Sequence, residues 1–162
     1  MERKERKKNR LSSYDYSQNG AYFLTICTHK RKPFLSKISK EEEFPILTKE
    51  GQIVENVILS VPEKYPAIAI DRYILMPDHI HLLVRVEKGT GNPSPTVGKA
   101  VAWLKYNATK QINCVHGIIG QKRFQRSFYD HVIRSEEDYD SIWMYIDNNP
   151  LSWKIKHGVV AL

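Results

Sequence analysis

The chain has 162 residues, 41% hydrophobic and 27% charged, a size and balance that fit one soluble globular domain with a real core. Its formal net charge of +7 and pI near 9.4 favour a polyanionic partner, nucleic acid before anionic membrane. Cys27 and Cys114 are too few and too far apart for a disulfide scaffold or a cysteine zinc cluster. No apolar run approaches the roughly 18 residues of a membrane span, and no signal-peptide apolar region follows the basic N-terminus. The chain reads as a soluble protein of the reducing cytoplasm, with no membrane role.

Residues 1–12 read as a basic flexible arm and residues 13–162 as a single domain. The arm carries Arg3, Lys4, Arg6, Lys7, Lys8 and Arg10 against Glu2 and Glu5, a solvated run that can also track a phosphate backbone. Tyr14 and Tyr16 follow, and aromatics beside cations suit base stacking. Ala21 to Thr28 is β-branched and aromatic enough for a strand. Residues 29–46 mix Lys, Pro and Ser with a Glu41–Glu43 run and read as a loose connector. From Thr48 to Val61, Ile53, Val57, Ile58 and Val61 recur at helical spacing, with Thr48 as cap and Pro62 and Pro66 as breakers.

Ala67 to Leu75 reads as the next strand, and the Met76-Pro-Asp78 turn joins it to a strand over His79–Val86. Gly89, Gly91, Pro93 and Pro95 mark a loop. Thr96 to Ile112 reads as a second helix carrying Val97, Val101, Leu104 and Ala108 on one face, with Lys99, Lys105 and Lys110 around it. Phe128 to Arg134 reads as a fourth strand, and Ser135 opens a third helix. Strand, helix, strand, strand, helix, strand is the split βαβ order. The expected fold is therefore α+β and ferredoxin-like, an antiparallel sheet with helices on one face, plus a C-terminal tyrosine-bearing helix. The other sheet face is expected to be open, which suits a single-stranded nucleic acid.

Two short stretches carry the chemistry. In a strand, residues two apart share a face, so His79 and His81 leave one side while Ile80, Leu82, Val84 and Val86 leave the other for the core. Such a pair either packs as ordinary histidines or, with a third ligand, binds one divalent cation. In the third helix, Ser135-Glu-Glu-Asp138 is a capping box by type, and Tyr139, Ile142, Trp143 and Ile146 form an apolar stripe that makes Tyr139 a core residue. Tyr145 lies to one side of that stripe, on the flank of Ser141 and Asn149. Spacing alone leaves it a packed or surface tyrosine, or one with its hydroxyl free to reach another element.

Met-Pro-Asp-His-Ile-His-Leu-Leu-Val at 76–84 resembles the HUH motif, two histidines around one hydrophobic residue. Phe128-Tyr-Asp-His-Val-Ile-Arg134 and Tyr145-Ile-Asp-Asn-Asn-Pro150 resemble the far end of the single-tyrosine insertion-sequence transposases. Tyr14-Asp-Tyr-Ser17 and Gly20-Ala-Tyr-Phe-Leu-Thr25 are similar to their opening segment. The nearest subgroup is the REP-associated tyrosine transposases, and the resemblance covers roughly residues 10 to 155.

The resemblance implies a metal-dependent transposase or endonuclease for single-stranded DNA. It would act beside hairpins such as REP-like palindromes. Tyr145 would attack the scissile phosphate, leaving a 5′-phosphotyrosine and a free 3′-hydroxyl, and no nucleotide cofactor would be needed. His79 and His81 would bind Mg²⁺ or Mn²⁺. The family's third ligand stands about one turn beyond the tyrosine, here Asn149, although Pro150 disfavours helical geometry at the residue before it. Asp147, Asn148, Asp130 and His131 are further candidates on other faces. DNA contacts would fall to Arg10, Tyr14, Lys99, Lys105, Lys122, Arg123, Arg126 and Arg134. The competing readings are a non-catalytic nucleic-acid-binding module on the same fold and a metal-dependent small-molecule protein. Related transposases work as monomers or as homodimers completing each other's sites, and the sequence leaves both open.

Overall fold

A computed structural model describes residues 20–87 and 97–161. The basic arm, with Arg10 and Tyr14, and the Gly89–Pro95 loop lie outside the described residues. The elements are β1 (Gly20–Cys27), a single 3-10 turn (His29–Arg31), β2 (Ser36–Lys37), β3 (Ile46–Leu47), α1 (Lys49–Lys64), β4 (Ile68–Leu75), β5 (His79–Val86), α2 (Val97–His116), β6 (Tyr129–Ile133) and α3 (Glu136–Lys156). The main sheet runs β4-β5-β1-β6, every pair antiparallel. This is the ferredoxin-like order expected from the sequence.

Alternation along the strands divides the sheet into two faces. Tyr22, Leu24 and Ile26 of β1 and Ile80, Leu82, Val84 and Val86 of β5 are buried in a core shared with α1 and α2. Full burial of one such aliphatic side chain contributes about 1.5–3 kcal/mol. On the opposite face Ile74, Met76 and Leu83 form a second core with Ile142 and Ile146 of α3, with Phe23, Tyr139 and Trp143 packed around it. The sheet face expected to be open is thus partly covered. The uneven, one-sided stripe of α3 supplies the apolar surface that makes this docking favourable.

Polar contacts on β4 fix where α3 lies. A β-bulge between Ile70 and Arg72 inserts an extra residue, Asp71, and bulges re-aim side chains. Asp71 accepts hydrogen bonds from the Tyr139 hydroxyl (2.6 Å) and from Arg85 Nε (2.7 Å). Arg72 ion-pairs with Asp147 and lies 5.4 Å from the centre of the Trp143 ring. Tyr139 is therefore partly buried with its hydroxyl engaged, rather than a plain core residue.

Helix starts agree with the sequence, but ends do not. Thr48 and Ser135 each cap a helix, accepting from Gly51 N (3.0 Å) and Asp138 N (3.1 Å), contributions of about 1 kcal/mol each. Pro62, expected to break α1, lies inside it, and the helix ends at Lys64. α2 likewise continues past Ile112 to His116, while Phe128 is a buried core residue just before β6 rather than part of it. The 29–46 connector holds the 3-10 turn and the β2–β3 pairing. No helix among the described residues is long and apolar enough to cross a membrane.

Candidate active site

β5 and α3 bring the predicted residues together. His79 and His81 are buried, 8% and 4% exposed, with ring centres 4.6 Å apart on the face that α3 covers. Asn149 is 8% exposed, and its side-chain oxygen Oδ1 lies 3.3 Å from His79 Nε2. Asn149 and Pro150 both sit inside an unbroken α3 that runs to Lys156, so the helix end or kink expected at Asn149 does not occur. Burial of both residues against the rest of the fold outweighs the local bias that proline imposes on its predecessor.

The outer nitrogens of the two imidazoles are already engaged, which orients the rings. His79 Nδ1 is 2.7 Å from Asp78 Oδ1, and Asp78 also accepts from Arg31 Nε (3.1 Å). His81 Nδ1 is 2.9 Å from Thr25 Oγ1, the residue directly across the β1–β5 ladder. Burial lowers the pKa of His79 below the ordinary imidazole value, although Asp78 opposes this. Burial, and then the neighbouring His79, pushes His81 down to about 3. Both rings are therefore neutral at pH 7.

A neutral His79 donating from Nδ1 to a carboxylate has a lone pair at Nε2, and this lone pair faces the Asn149 carbonyl oxygen. His81 Nε2 is buried with no hydrogen-bond partner, a costly state for a polar atom unless something satisfies it. Two imidazole nitrogens and a carboxamide oxygen are a donor set that suits a small divalent cation. Hydrogen-bonded outer nitrogens are the usual support for histidine ligands. Among the described residues no cluster of three or more His, Cys, Asp or Glu side chains is arranged to hold a metal. The side chain that faces His79 Nε2 is the Asn149 carboxamide.

Tyr145, one helical turn before Asn149, stands beside the two histidines. Its ring centre is 5.5 Å from that of His81 and 5.8 Å from that of Phe23, both edge-on, and 52% of the residue is exposed. Trp153, one turn further along, lies 6.1 Å from His79. Tyr145, Asn149 and Trp153 thus form an i, i+4, i+8 stripe over the histidines. Asp147 is taken by Arg72, Asn148 is exposed, and His131 is hydrogen-bonded to Asp138 (2.8 Å).

Sequence reasoning did not single out Thr25, Arg31 or Trp153, and it gave Asp78 no role beyond its place in the turn and in the motif around the histidines. Their signal is spatial, since only the ladder and the 3-10 turn bring them to the histidines. Lys30 and Arg31 both have φ of 54°, the left-handed region that non-glycine residues seldom occupy. That turn lets the Arg31 side chain reach Asp78 and Cys27 Sγ.

The predicted DNA-contact residues are spread more widely. Lys105, Lys122, Arg123 and Arg126 gather beside α2 and the segment after it. Lys99 stands at the start of α2. Arg134 follows β6 at the end of the sheet where Ile133 pairs with Ala21, whereas His79 pairs with Cys27 at the other end.

The family described as "Transposase IS200 like" matches residues 16–149. An uncharacterized protein of Haemophilus influenzae is 28% identical, over 92% of this chain and 90% of its own length. A REP-associated tyrosine transposase of Escherichia coli K12 is 26% identical, over 90% of this chain and 72% of its own. A REP-associated tyrosine transposase solved bound to a REP hairpin shares the fold, with a TM-score of 0.63 at 22% identity over 93% of this chain and 76% of its own.

Proposed function

Since this chain belongs to the IS200-like transposase family, we propose that it cleaves and rejoins single-stranded DNA beside a hairpin, with Tyr145 as nucleophile. The observation that carries this reading is the placing of Tyr145 over His81, one helical turn from Asn149, whose carbonyl oxygen faces the lone pair of His79. His81 Nε2 is buried with no hydrogen-bond partner, a state that a cation would relieve, and Tyr145 is half exposed beside it.

In this account the Tyr145 hydroxyl loses its proton and its oxygen attacks the scissile phosphorus. A tyrosine–phosphate bond forms, the bond from phosphorus to the 3′-oxygen breaks, and that oxygen takes up a proton. The products are a 5′-phosphotyrosine and a free 3′-hydroxyl, and attack by a 3′-hydroxyl reverses the sequence. Phosphodiester energy is conserved in the linkage, so no nucleotide is consumed. A Mg²⁺ or Mn²⁺ ion held by His79, His81 and Asn149 would withdraw charge from the phosphate oxygens. Asp78 and Thr25 keep both imidazoles turned inward, and Arg72 and Tyr139 hold α3 so that Tyr145 stays in place.

The test is cleavage of a 3′-labelled DNA hairpin carrying a single-stranded 5′ tail, with Mn²⁺ and then with chelator. The expected upstream product ends in a 3′-hydroxyl that a polymerase extends, while the downstream fragment is blocked at its 5′ end. Products with free 5′-phosphates would point to hydrolysis by water and overturn the tyrosine mechanism. Binding with no cleavage in Mn²⁺ would favour a non-catalytic DNA-binding module.

A further inference from the structure

α3 leaves one corner of the histidine face uncovered. The helix starts beside β6, where His131 Nε2 lies 2.8 Å from Asp138 Oδ2 and Ile133 packs against the second core. Further along, Ile142 and Ile146 sit on Ile74, Met76 and Leu83, at β4 and β5. The helix thus draws away from β6 as it approaches the histidines. The open corner is the start of β6.

Tyr129 stands in that corner. The ladder pairs Thr25 with both His81 and Tyr129. The three residues therefore form one row across β5, β1 and β6, with their side chains on one face. Thr25 Oγ1, 2.9 Å from His81 Nδ1, identifies that face as the one carrying the candidate site. At ordinary strand spacing the Tyr129 and His81 Cα atoms are about 10 Å apart. Between them, part-exposed Phe23 and Thr25 floor a shelf bounded by Tyr145, whose ring centre is 5.8 Å from that of Phe23.

Packing does not account for an aromatic at 129. Phe128 and Val132 bury β6 against the first core, whereas Tyr129 is 52% exposed. Among the described residues its ring and hydroxyl have no ring or hydrogen-bond partner. Aromatic rings standing free on a sheet face are platforms on which unpaired bases stack.

We propose that Tyr129 is a positioning residue, stacking on the base of the nucleotide that adjoins the scissile phosphate. A phosphate at the histidines would have that base over the shelf, and stacking would hold the phosphate in line with the Tyr145 hydroxyl. The occupant is an unpaired nucleotide, because a paired base keeps its faces inside the helix stack. This assignment rests on the DNA-cleaving reading and adds the residue that sets where along the strand the cut falls.

The experiment uses a DNA hairpin with a single-stranded 5′ tail carrying 2-aminopurine, whose fluorescence falls on stacking, at one tail position at a time. Binding is followed in the Tyr145→Phe protein with chelator. Quenching should peak beside the bond that the tyrosine-containing protein cuts with Mn²⁺. Tyr129→Ala should abolish quenching at that position alone and weaken binding about tenfold, while Tyr129→Phe and Tyr129→Trp retain both. Tyr129→Thr, which keeps strand propensity, should match alanine and serves if alanine loosens β6. In cleavage, an abasic nucleotide at that position should slow the parent about tenfold and add nothing to the equal loss in Tyr129→Ala. Unchanged quenching in folded Tyr129 variants would overturn the proposal. So would an abasic loss that multiplies with the Tyr129→Ala loss, the mark of a purely structural role. Failure of the cleavage reading would look different: Tyr129-dependent quenching would persist at one tail position while the tyrosine-containing protein cuts nothing.

Discussion

Replacing Asp78 by asparagine tests whether the histidine pair is built to hold a cation. Asp78 is nearly buried, its Oδ1 is 2.7 Å from His79 Nδ1, and Arg31 Nε lies 3.1 Å from its other oxygen. The carboxylate fixes the tautomer that leaves His79 Nε2 as a donor, and it raises the basicity of that nitrogen. Asparagine keeps the volume and can still accept a hydrogen bond, but it carries no charge. The backbone of the turn is held independently, through Thr28 N and Oγ1 to Asp78 O, both 3.0 Å. Loss of such a partner typically weakens a metal site by about 10–100-fold, or roughly 1.4–2.7 kcal/mol. Calorimetric titration with Mn²⁺ should therefore show weaker binding by that factor in a variant whose circular dichroism is unchanged. His79→Ala should lose binding altogether. Asp78→Asn binding Mn²⁺ as tightly as the parent, while His79→Ala does not, would refute the reasoning.

Other expectations follow from particular contacts. A Cβ added at Gly51 would lie 1.9 Å from the Leu35 carbonyl oxygen, so Gly51→Ala should destabilise the fold by about 2 kcal/mol or more in urea unfolding. Arg72→Ala removes a half-exposed ion pair and a ring contact, each about 0.5–1 kcal/mol at most. Its thermal midpoint should drop only slightly, yet cleavage should slow more than tenfold because Asp147 is two residues from Tyr145; equal small effects on both would argue against a positioning role. Burial, followed by the carboxylates of Asp71 and Glu55, raises the pKa values of Tyr139 and Tyr73 to about 12. Both phenols hold their protons more tightly folded than unfolded, so their stabilisation is complete below about pH 10 and fades as pH rises toward 12. Alkaline unfolding should begin in that window, and Tyr139→Phe, which lacks the hydrogen bond to Asp71, should be less stable below pH 10 but lose less stability between pH 10 and 12.

The histidine face was legible because strand alternation is a local property. Once His79–Val86 is a strand, His79 and His81 must leave the side opposite Ile80 and Leu82. The caps at Thr48 and Ser135 are equally local. Pro62 and Pro150 were misleading for the complementary reason: proline acts on its own turn, whereas burial of Asn149 and Pro150 is decided by the whole sheet. The covering of the second face by α3 depends on the Asp71 bulge, which no periodicity in Ile68–Leu75 announces. The contacts that fold residues 120–127 back onto α2, between Asn113 and both Gln121 and Arg123 and from Lys105 to Gln125 and Arg126, were not legible. What was legible there was the charge, not its arrangement.

The central claim is that Tyr145 becomes covalently joined to DNA. Incubation with a labelled hairpin substrate and Mn²⁺, followed by tryptic digestion and mass spectrometry, should find a nucleotide-bearing peptide modified at Tyr145. It should be absent from Tyr145→Phe and from chelated samples, with hairpin binding retained in both. DNA cleaved to completion with Tyr145 unmodified, or an adduct persisting in Tyr145→Phe, would contradict the account.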